Sequence, residues 1–125
     1  MKRNIKFRAW DKENEKMMKV SSLHLENKEI SVKENGTFRL FRMQDLMQYT
    51  GLKDKNGKEI YENDLISCNK HKNIVVFFEG GCFKVKYLRN STTTITCTLN
   101  SFLEKYKCKI SGNIYEPPEL LEENN

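Results

Sequence analysis

The two histidines are the side chains best suited to proton transfer or metal binding near neutral pH. His24 stands between two leucines in a strand-like run, and His71 lies in the polar run Asn69–Asn73. Neither belongs to a known arrangement of nucleophile and base, to a metal-binding helix or to a phosphate-binding loop. We therefore expect both histidines to be solvent-exposed surface residues, and we expect no catalytic residue in this chain.

Five carboxylates crowd the middle of the chain, where they could act as paired acids and bases or hold a divalent metal. Asp54, however, fits the first position of a turn closed by Asn56 and Gly57, and Asp64 fits a bond to its own backbone at the start of the next strand. Turn formation accounts for these two, so we expect neither an enzyme nor a bound metal or cofactor. The five are Asp45, Asp54, Glu59, Glu62 and Asp64.

Cys68, Cys82, Cys97 and Cys108 are spaced 14, 15 and 11 residues apart. The close Cys-x-x-Cys spacing that places two thiolates on one metal is missing from this sequence. We expect reduced thiols, most of them buried in strands, as in a cytosolic protein; a disulfide framework and a zinc site are the alternatives left open.

Basic and aromatic residues interleave at two places, a combination that can grip phosphates and stack bases. The same pattern suits ordinary solvated faces, and Trp10 can simply cover an edge of the core. The sequence carries no recognition-helix pattern and no RNA-binding aromatic signature. Nucleic-acid binding is therefore the alternative hypothesis, with a candidate surface made of Arg8, Trp10, Lys84, Lys86 and Arg89.

Length and charge limit the classes of protein to which this chain can belong. The chain has 125 residues and a net charge of +5, which suits one compact domain with at most a small appendage. Residues 1–58 carry 14 Lys or Arg against 8 Asp or Glu, whereas the last fifteen residues carry four Glu and no basic side chain. The acidic tail can lie across the basic body or dock on a second copy. Without a membrane-spanning apolar run or an export signal, we expect a cytoplasmic protein that binds no membrane.

Alternating apolar and polar residues predict short strands in the first forty residues. Ile5–Trp10 is the first of them, and hairpins follow around residues 11–16 and 26–29. Asn35 and Gly36 predict a further turn, because both residue types tolerate a positive φ. Residues 38–47 have a mixed apolar spacing and fit a strand as well as one or two helical turns.

The clearest turn signals lie in the second half of the chain. Asn56-Gly57 predicts a tight hairpin, and Gly80-Gly81 predicts a return between two strands. The run 74–78 is apolar throughout, which predicts a central strand covered on both faces.

A short helix and a last strand complete the expected elements. Residues 99–106 have the apolar spacing of two helical turns, with Asn100 or Ser101 available as the N-cap. Residues 108–115 predict a strand with a glycine kink, which the two prolines end.

Three stretches stand out together by their length and order: Ile5–Asp11, Leu46–Ile66 and Gly112–Glu116. They resemble the YopX family of phage and prophage proteins over nearly the whole chain. That family usually has Gly between the Glu and Asp of its Tyr-Glu-x-Asp step, where this chain has Asn63. Asn is the next-best residue for a left-handed corner, so the implied fold survives this departure.

The resemblance implies a mainly β fold with short helices. It divides the chain into an N-terminal β-hairpin portion in residues 1–45, an SH3-like β-roll or barrel in residues 46–117, and an acidic tail in residues 118–125. It also implies assembly into homo-oligomers, and it implies no known activity. The tight hairpin, the buried strand and the Gly-Gly return agree with a small barrel.

Our leading hypothesis is a non-enzymatic accessory protein of a phage or prophage, which self-associates and binds a host or phage protein in the bacterial cytoplasm. Adaptable apolar side chains suit contacts between subunits, although core packing explains the same residues equally well. The candidate interface consists of Phe38, Phe41, Met43, Leu46 and Met47. The alternative is a basic small-barrel protein that binds nucleic acid through the surface named above.

Overall fold

The computed structural model describes residues 3–118 of the chain. Within them the fold is mainly β, which confirms the expected class. The elements are β1 (Phe7–Asp11), β2 (Lys16–His24), β3 (Glu29–Glu34), β4 (Thr37–Arg42), β5 (Leu46–Lys53), β6 (Glu59–Tyr61), β7 (Asp64–Ser67), β8 (Ile74–Glu79), β9 (Cys82–Leu88), β10 (Thr94–Thr98), α1 (Leu99–Lys105) and β11 (Lys109–Asn113).

Contacts divide the described residues into two compact units, unit 1 ending at Tyr49 and unit 2 beginning at Thr50. The division falls inside β5, which pairs with β1 through residues 46–48 and also neighbours β6. The boundary expected from the sequence, between residues 45 and 46, stays a prediction. The predicted acidic tail lies outside the described residues except for Pro118.

Unit 1 is built from antiparallel strands in the order β4-β3-β2-β1-β5. Its hairpins form where the sequence predicts them, because Asp11 caps the first turn and Asn35-Gly36 supplies positive φ angles of 50° and 80° for the third. The segment left open by its mixed spacing is β4 followed by the start of β5. The core of unit 1 is formed by Ala9, Met18, Ile30 and Val32.

Unit 2 contains a five-stranded antiparallel sheet in the order β10-β9-β8-β7-β11. The hairpins predicted at Asn56-Gly57 and Gly80-Gly81 are both present. Helix α1 packs two buried side chains, Leu99 and Phe102, against the sheet core. That core also contains Ile60, Ile66, Cys68, Val76, Val85 and Cys108.

Two expectations about unit 2 are wrong in detail. β8 lies at the centre of its sheet, but Val75 and Phe78 are exposed and only Val76 is fully buried, so the strand is not covered on both faces. The N-cap of α1 is Thr98, whose Oγ1 accepts the Ser101 N–H at 3.2 Å, rather than Asn100 or Ser101.

The closed barrel expected for residues 46–117 is not observed, because both sheets have open edges among the described residues. An SH3-like arrangement of these strands stays a prediction from the family resemblance. No helix in residues 3–118 combines the length and apolar character that crossing a membrane requires.

Candidate functional site

Two of the five central carboxylates bond to backbone N–H groups: Asp54 in the turn that the sequence predicts, and Asp64 to Tyr61 rather than to its own backbone. Asp54 accepts the N–H groups of Asn56 and Lys58, both at 2.9 Å, and Asp64 accepts the Tyr61 N–H at 2.7 Å. Asn63, between them in the chain, adopts the left-handed corner with φ of +70°. Among residues 3–118, no group of three His, Cys, Asp or Glu side chains is placed to hold a metal ion.

All four cysteines are free thiols, as predicted. Cys68 and Cys108 are buried but lie outside the strands, whereas Cys82 in β9 and Cys97 in β10 are only partly buried. The expectation that most of the thiols are buried in strands is therefore wrong. Burial, reinforced by the neighbouring Cys68 thiol, raises the pKa of Cys108 to about 12. Such a thiol is a poor nucleophile near neutral pH, because only the thiolate reacts.

A concave site lies in unit 2 and has a volume of about 570 Å³, within the range of roughly 300–1,000 Å³ typical of small-ligand pockets. We call it the basic aromatic pocket. Three parts of the chain form it: the loop between β7 and β8, the ends of β9 and β10 near their connection, and the C-terminal end of α1. Its lining residues are Lys70, His71, Tyr87, Leu88, Arg89, Ile95, Lys105 and Tyr106.

Aromatic rings form one side of the basic aromatic pocket. The His71 ring centroid lies 4.5 Å from that of Tyr87 and 5.1 Å from that of Tyr106. Phe102 supports these rings from the core, at 5.1 Å from Tyr87 and 4.9 Å from Tyr106. The expectation that His71 is a solvated loop residue is therefore wrong, since its ring packs among three others.

Hydrogen bonds hold the loop that carries His71. The Cys68 N–H donates to the His71 carbonyl at 2.8 Å, and the Asn73 N–H donates to Ser67 Oγ at 2.8 Å. Ser111 Oγ on β11 donates to Asn73 Oδ1 at 2.9 Å. Because the loop is held at its middle and its end, His71 is positioned before any ligand arrives.

Hydrogen bonds also hold the other two segments that line the basic aromatic pocket. Asn90 Oδ1 accepts the N–H groups of Thr92 and Thr93, both at 2.9 Å, and the Arg89 N–H donates to the Thr93 carbonyl at 2.8 Å. At the end of α1, the Tyr106 N–H donates to the Phe102 carbonyl at 2.8 Å, which ends the helix and places Tyr106 at the rim.

Positive charge dominates the rim of the basic aromatic pocket. Lys70, Arg89 and Lys105 line it, and none of the eight lining residues is acidic. The ion pairs within 4.0 Å in the described part of the chain involve none of these three cations. Their charge is therefore left to interact with an anion from solution.

The structure separates the residues of the predicted nucleic-acid surface. Arg8 and Trp10 belong to β1 in unit 1, where Trp10 is buried and its ring is not accessible to a base. Lys84 and Lys86 lie on the face of β9 opposite to Val85. Only Arg89 lines the basic aromatic pocket.

The predicted interface divides in a similar way. Met47 is fully buried, and three others are partly buried against the core of unit 1. Phe38 alone is well exposed, and it shares its face of β4 with Leu40, a residue outside the predicted set. The partly buried three are Phe41, Met43 and Leu46.

Two comparisons relate this chain to known proteins. Its fold is similar to the crystal structure of protein EF1440 from Enterococcus faecalis, with 27% sequence identity, a TM-score of 0.59, and coverage of 96% of this chain and 99% of that one. The search of curated proteins gave no match. Residues 6–122 match the family described as YopX protein. This match spans nearly the whole chain, and the protein therefore belongs to the YopX family.

Proposed function

We propose that this protein is a non-enzymatic accessory protein of a phage or prophage, which works by associating with copies of itself and with a partner protein. The observation that carries the proposal is the edge strand β4, where Phe38 is 62% exposed and Leu40 is 63% exposed. Covering two large apolar side chains with a second surface removes them from water, and this favours association.

The geometry of β4 suits contact with another chain. Phe38 and Leu40 alternate with Arg39 and Phe41, so the first two share the outer face while Phe41 packs inward. β3 pairs with β4 along all six residues, and β4 ends the strand order of its sheet. Its other backbone edge offers N–H and C=O groups of the kind that pair with an added strand.

The surroundings of this edge limit the choice of partner. Lys33 lies opposite Phe38, with its Nζ 5.7 Å from the ring centroid, and Arg39 pairs with Glu34 at 3.1 Å. An identical copy in antiparallel register would pair with the backbone groups of this edge and cover Phe38 and Leu40. An acidic extended segment would in addition complement the positive charge beside them. Family membership adds support, because the YopX resemblance implies homo-oligomers.

Light scattering after gel filtration tests the self-association directly. The mass of the chain is 14.8 kDa, and we expect a molar mass that is a multiple of this value at micromolar concentration. A monomer that persists over this range would contradict the proposal.

A second candidate function is nucleic-acid binding. The buried Trp10 cannot take part in it, but one observation in unit 2 favours it. Arg89 lines one pocket with Lys70, Lys105 and the half-buried rings of the aromatic wall, and grouped cations beside aromatic rings suit single strands. Retention of random single-stranded oligonucleotides should weaken steeply as salt rises. The absence of retention at about 50 mM salt would remove this candidate.

A further inference from the structure

We propose that the basic aromatic pocket binds an aromatic base that carries a phosphate, either as a free nucleotide or as one nucleotide of a single strand. This inference goes beyond self-association through β4, because it uses residues of unit 2 that the edge strand does not contain. It also gives the nucleic-acid candidate a defined ligand.

The aromatic wall supplies the part of the site that fits a base. His71, Tyr87 and Tyr106 bring three rings with polar groups to one concavity, with centroid separations of 4.5 to 6.5 Å. Ile95 and Leu88 add apolar surface beside them. Stacking of a base on such a ring is typically worth about 1–3 kcal/mol and is tolerant of sequence.

The rim supplies the part that fits a phosphate. Lys70, Arg89 and Lys105 come from three different segments and line the same pocket. Lys105 also stands near the aromatic wall, with its Nζ 5.5 Å from the Tyr106 ring centroid. Hydrogen bonds from such cations to phosphate oxygens are charge-assisted and are stronger than those between neutral groups.

The two parts together define the chemical class of the ligand. An inorganic anion would use the cations and leave the rings uncovered, and an apolar molecule would leave three cations without a partner. A base joined to a phosphate uses both. The hydrogen bonds that fix the β7–β8 loop and the Asn90 turn also reduce the ordering that binding requires.

Nuclear magnetic resonance of the full chain tests the proposal, with four probes titrated separately: adenosine 5′-monophosphate, adenosine, inorganic phosphate and a decamer of deoxythymidine. We expect adenosine 5′-monophosphate or the decamer to shift the amide signals of His71, Tyr87 and Tyr106. Adenosine and inorganic phosphate should each bind roughly tenfold more weakly than the nucleotide, because each has lost one part of the ligand. Tighter binding of the decamer assigns the site to single strands, and tighter binding of the mononucleotide assigns it to free nucleotides.

Matched variants make the test specific to the basic aromatic pocket. Arg89→Gln removes a rim cation and should weaken binding roughly tenfold, whereas Lys86→Gln removes an exposed cation on the other face of β9 and should leave binding nearly unchanged. Tyr106→Leu keeps apolar bulk and should also weaken binding. The proposal is overturned if no probe shifts these signals, if phosphate binds as tightly as the nucleotide, or if Arg89→Gln has no more effect than Lys86→Gln. Light scattering on the same samples keeps the outcome separate from self-association.

Discussion

The carboxylate of Asp54 accepts the backbone N–H of Ile110 at 3.0 Å, a contact that joins positions 56 residues apart. The other carboxylate oxygen accepts the N–H groups of Asn56 and Lys58 in the local turn. The Lys55 N–H donates to the Cys108 carbonyl at 2.9 Å beside them. One buried side chain therefore shapes the Asn-Gly hairpin and also fastens it to β11.

Replacing Asp54 by Asn should destabilise the protein by about 2–3 kcal/mol, because three N–H donors lose a charged acceptor in a buried position. Urea unfolding followed by circular dichroism measures the change. Glu79→Gln is the control, since Glu79 is exposed and should change stability little. Equal effects of the two variants would show that Asp54 does not fasten the hairpin.

Stability should fall in acid partly through Asp54. Burial alone would raise the pKa of Asp54, but the N–H groups of Ile110, Lys58 and Asn56 outweigh it and hold the pKa below its ordinary value of 3.8. As pH falls, Asp54 is therefore protonated in the unfolded chain before it is protonated in the folded protein. Its stabilisation is complete above about pH 5 and is lost as pH falls through its pKa in the folded state. Between neutral pH and about pH 3, the Asp54→Asn variant should lose less stability than the original protein. Parallel losses would contradict this assignment.

The sequence predicted the turns well because their signals are local. Asn35-Gly36, Asn56-Gly57 and Gly80-Gly81 each carry their own preference for positive φ, and each adopts it in part or in full. β4 could not be assigned in advance, because its spacing fits two structures and its pairing with β3 decides between them. The exposure of Val75 and Phe78 depends on which elements cover each face of the sheet. An apolar run in the sequence does not show this.

The glycine of the last strand should tolerate no side chain. The strand pairing of β11 with β7 is irregular between Ile110 and Gly112, and a Cβ at Gly112 would lie 2.9 Å from the Glu116 carbonyl oxygen. Gly112→Ala should therefore destabilise the protein by about 1–3 kcal/mol through crowding. Thermal unfolding measures this loss, with the exposed Ser91→Ala as control. A variant as stable as the control would contradict this prediction, because it would show that the backbone shifts to accommodate the added methyl group.

The cysteines should differ widely in reactivity. At about pH 8, a thiol with a pKa of about 12 is ionised in roughly one molecule in ten thousand, so Cys108 should resist alkylation in the folded protein. Burial also raises the pKa of Cys97. Iodoacetamide labelling followed by peptide mass spectrometry should find Cys82 modified first, and Cys82→Ser should abolish the fast phase. Labelling of Cys108 at a comparable rate would refute the buried placement.

The basic aromatic pocket was beyond sequence reasoning because its members are far apart in the chain. His71 stands between two lysines and looks like a solvated loop residue, and only the fold brings it against Tyr87 and Tyr106. Arg89 was singled out for its charge alone. The alternation of residues along β9 places Tyr87 on the inner face of the strand. It does not show that the C-terminal end of α1 lies beside Tyr87.

The central claim, that the protein associates through β4, is tested most directly by sedimentation velocity on the double variant Phe38→Ser/Leu40→Ser. The control is Leu88→Ser, because Leu88 is 63% exposed, as is Leu40, but lies in unit 2. We predict that the control sediments as the oligomer formed by the original protein, whereas the double variant sediments as a folded monomer. A double variant that sediments like the control would contradict the claim.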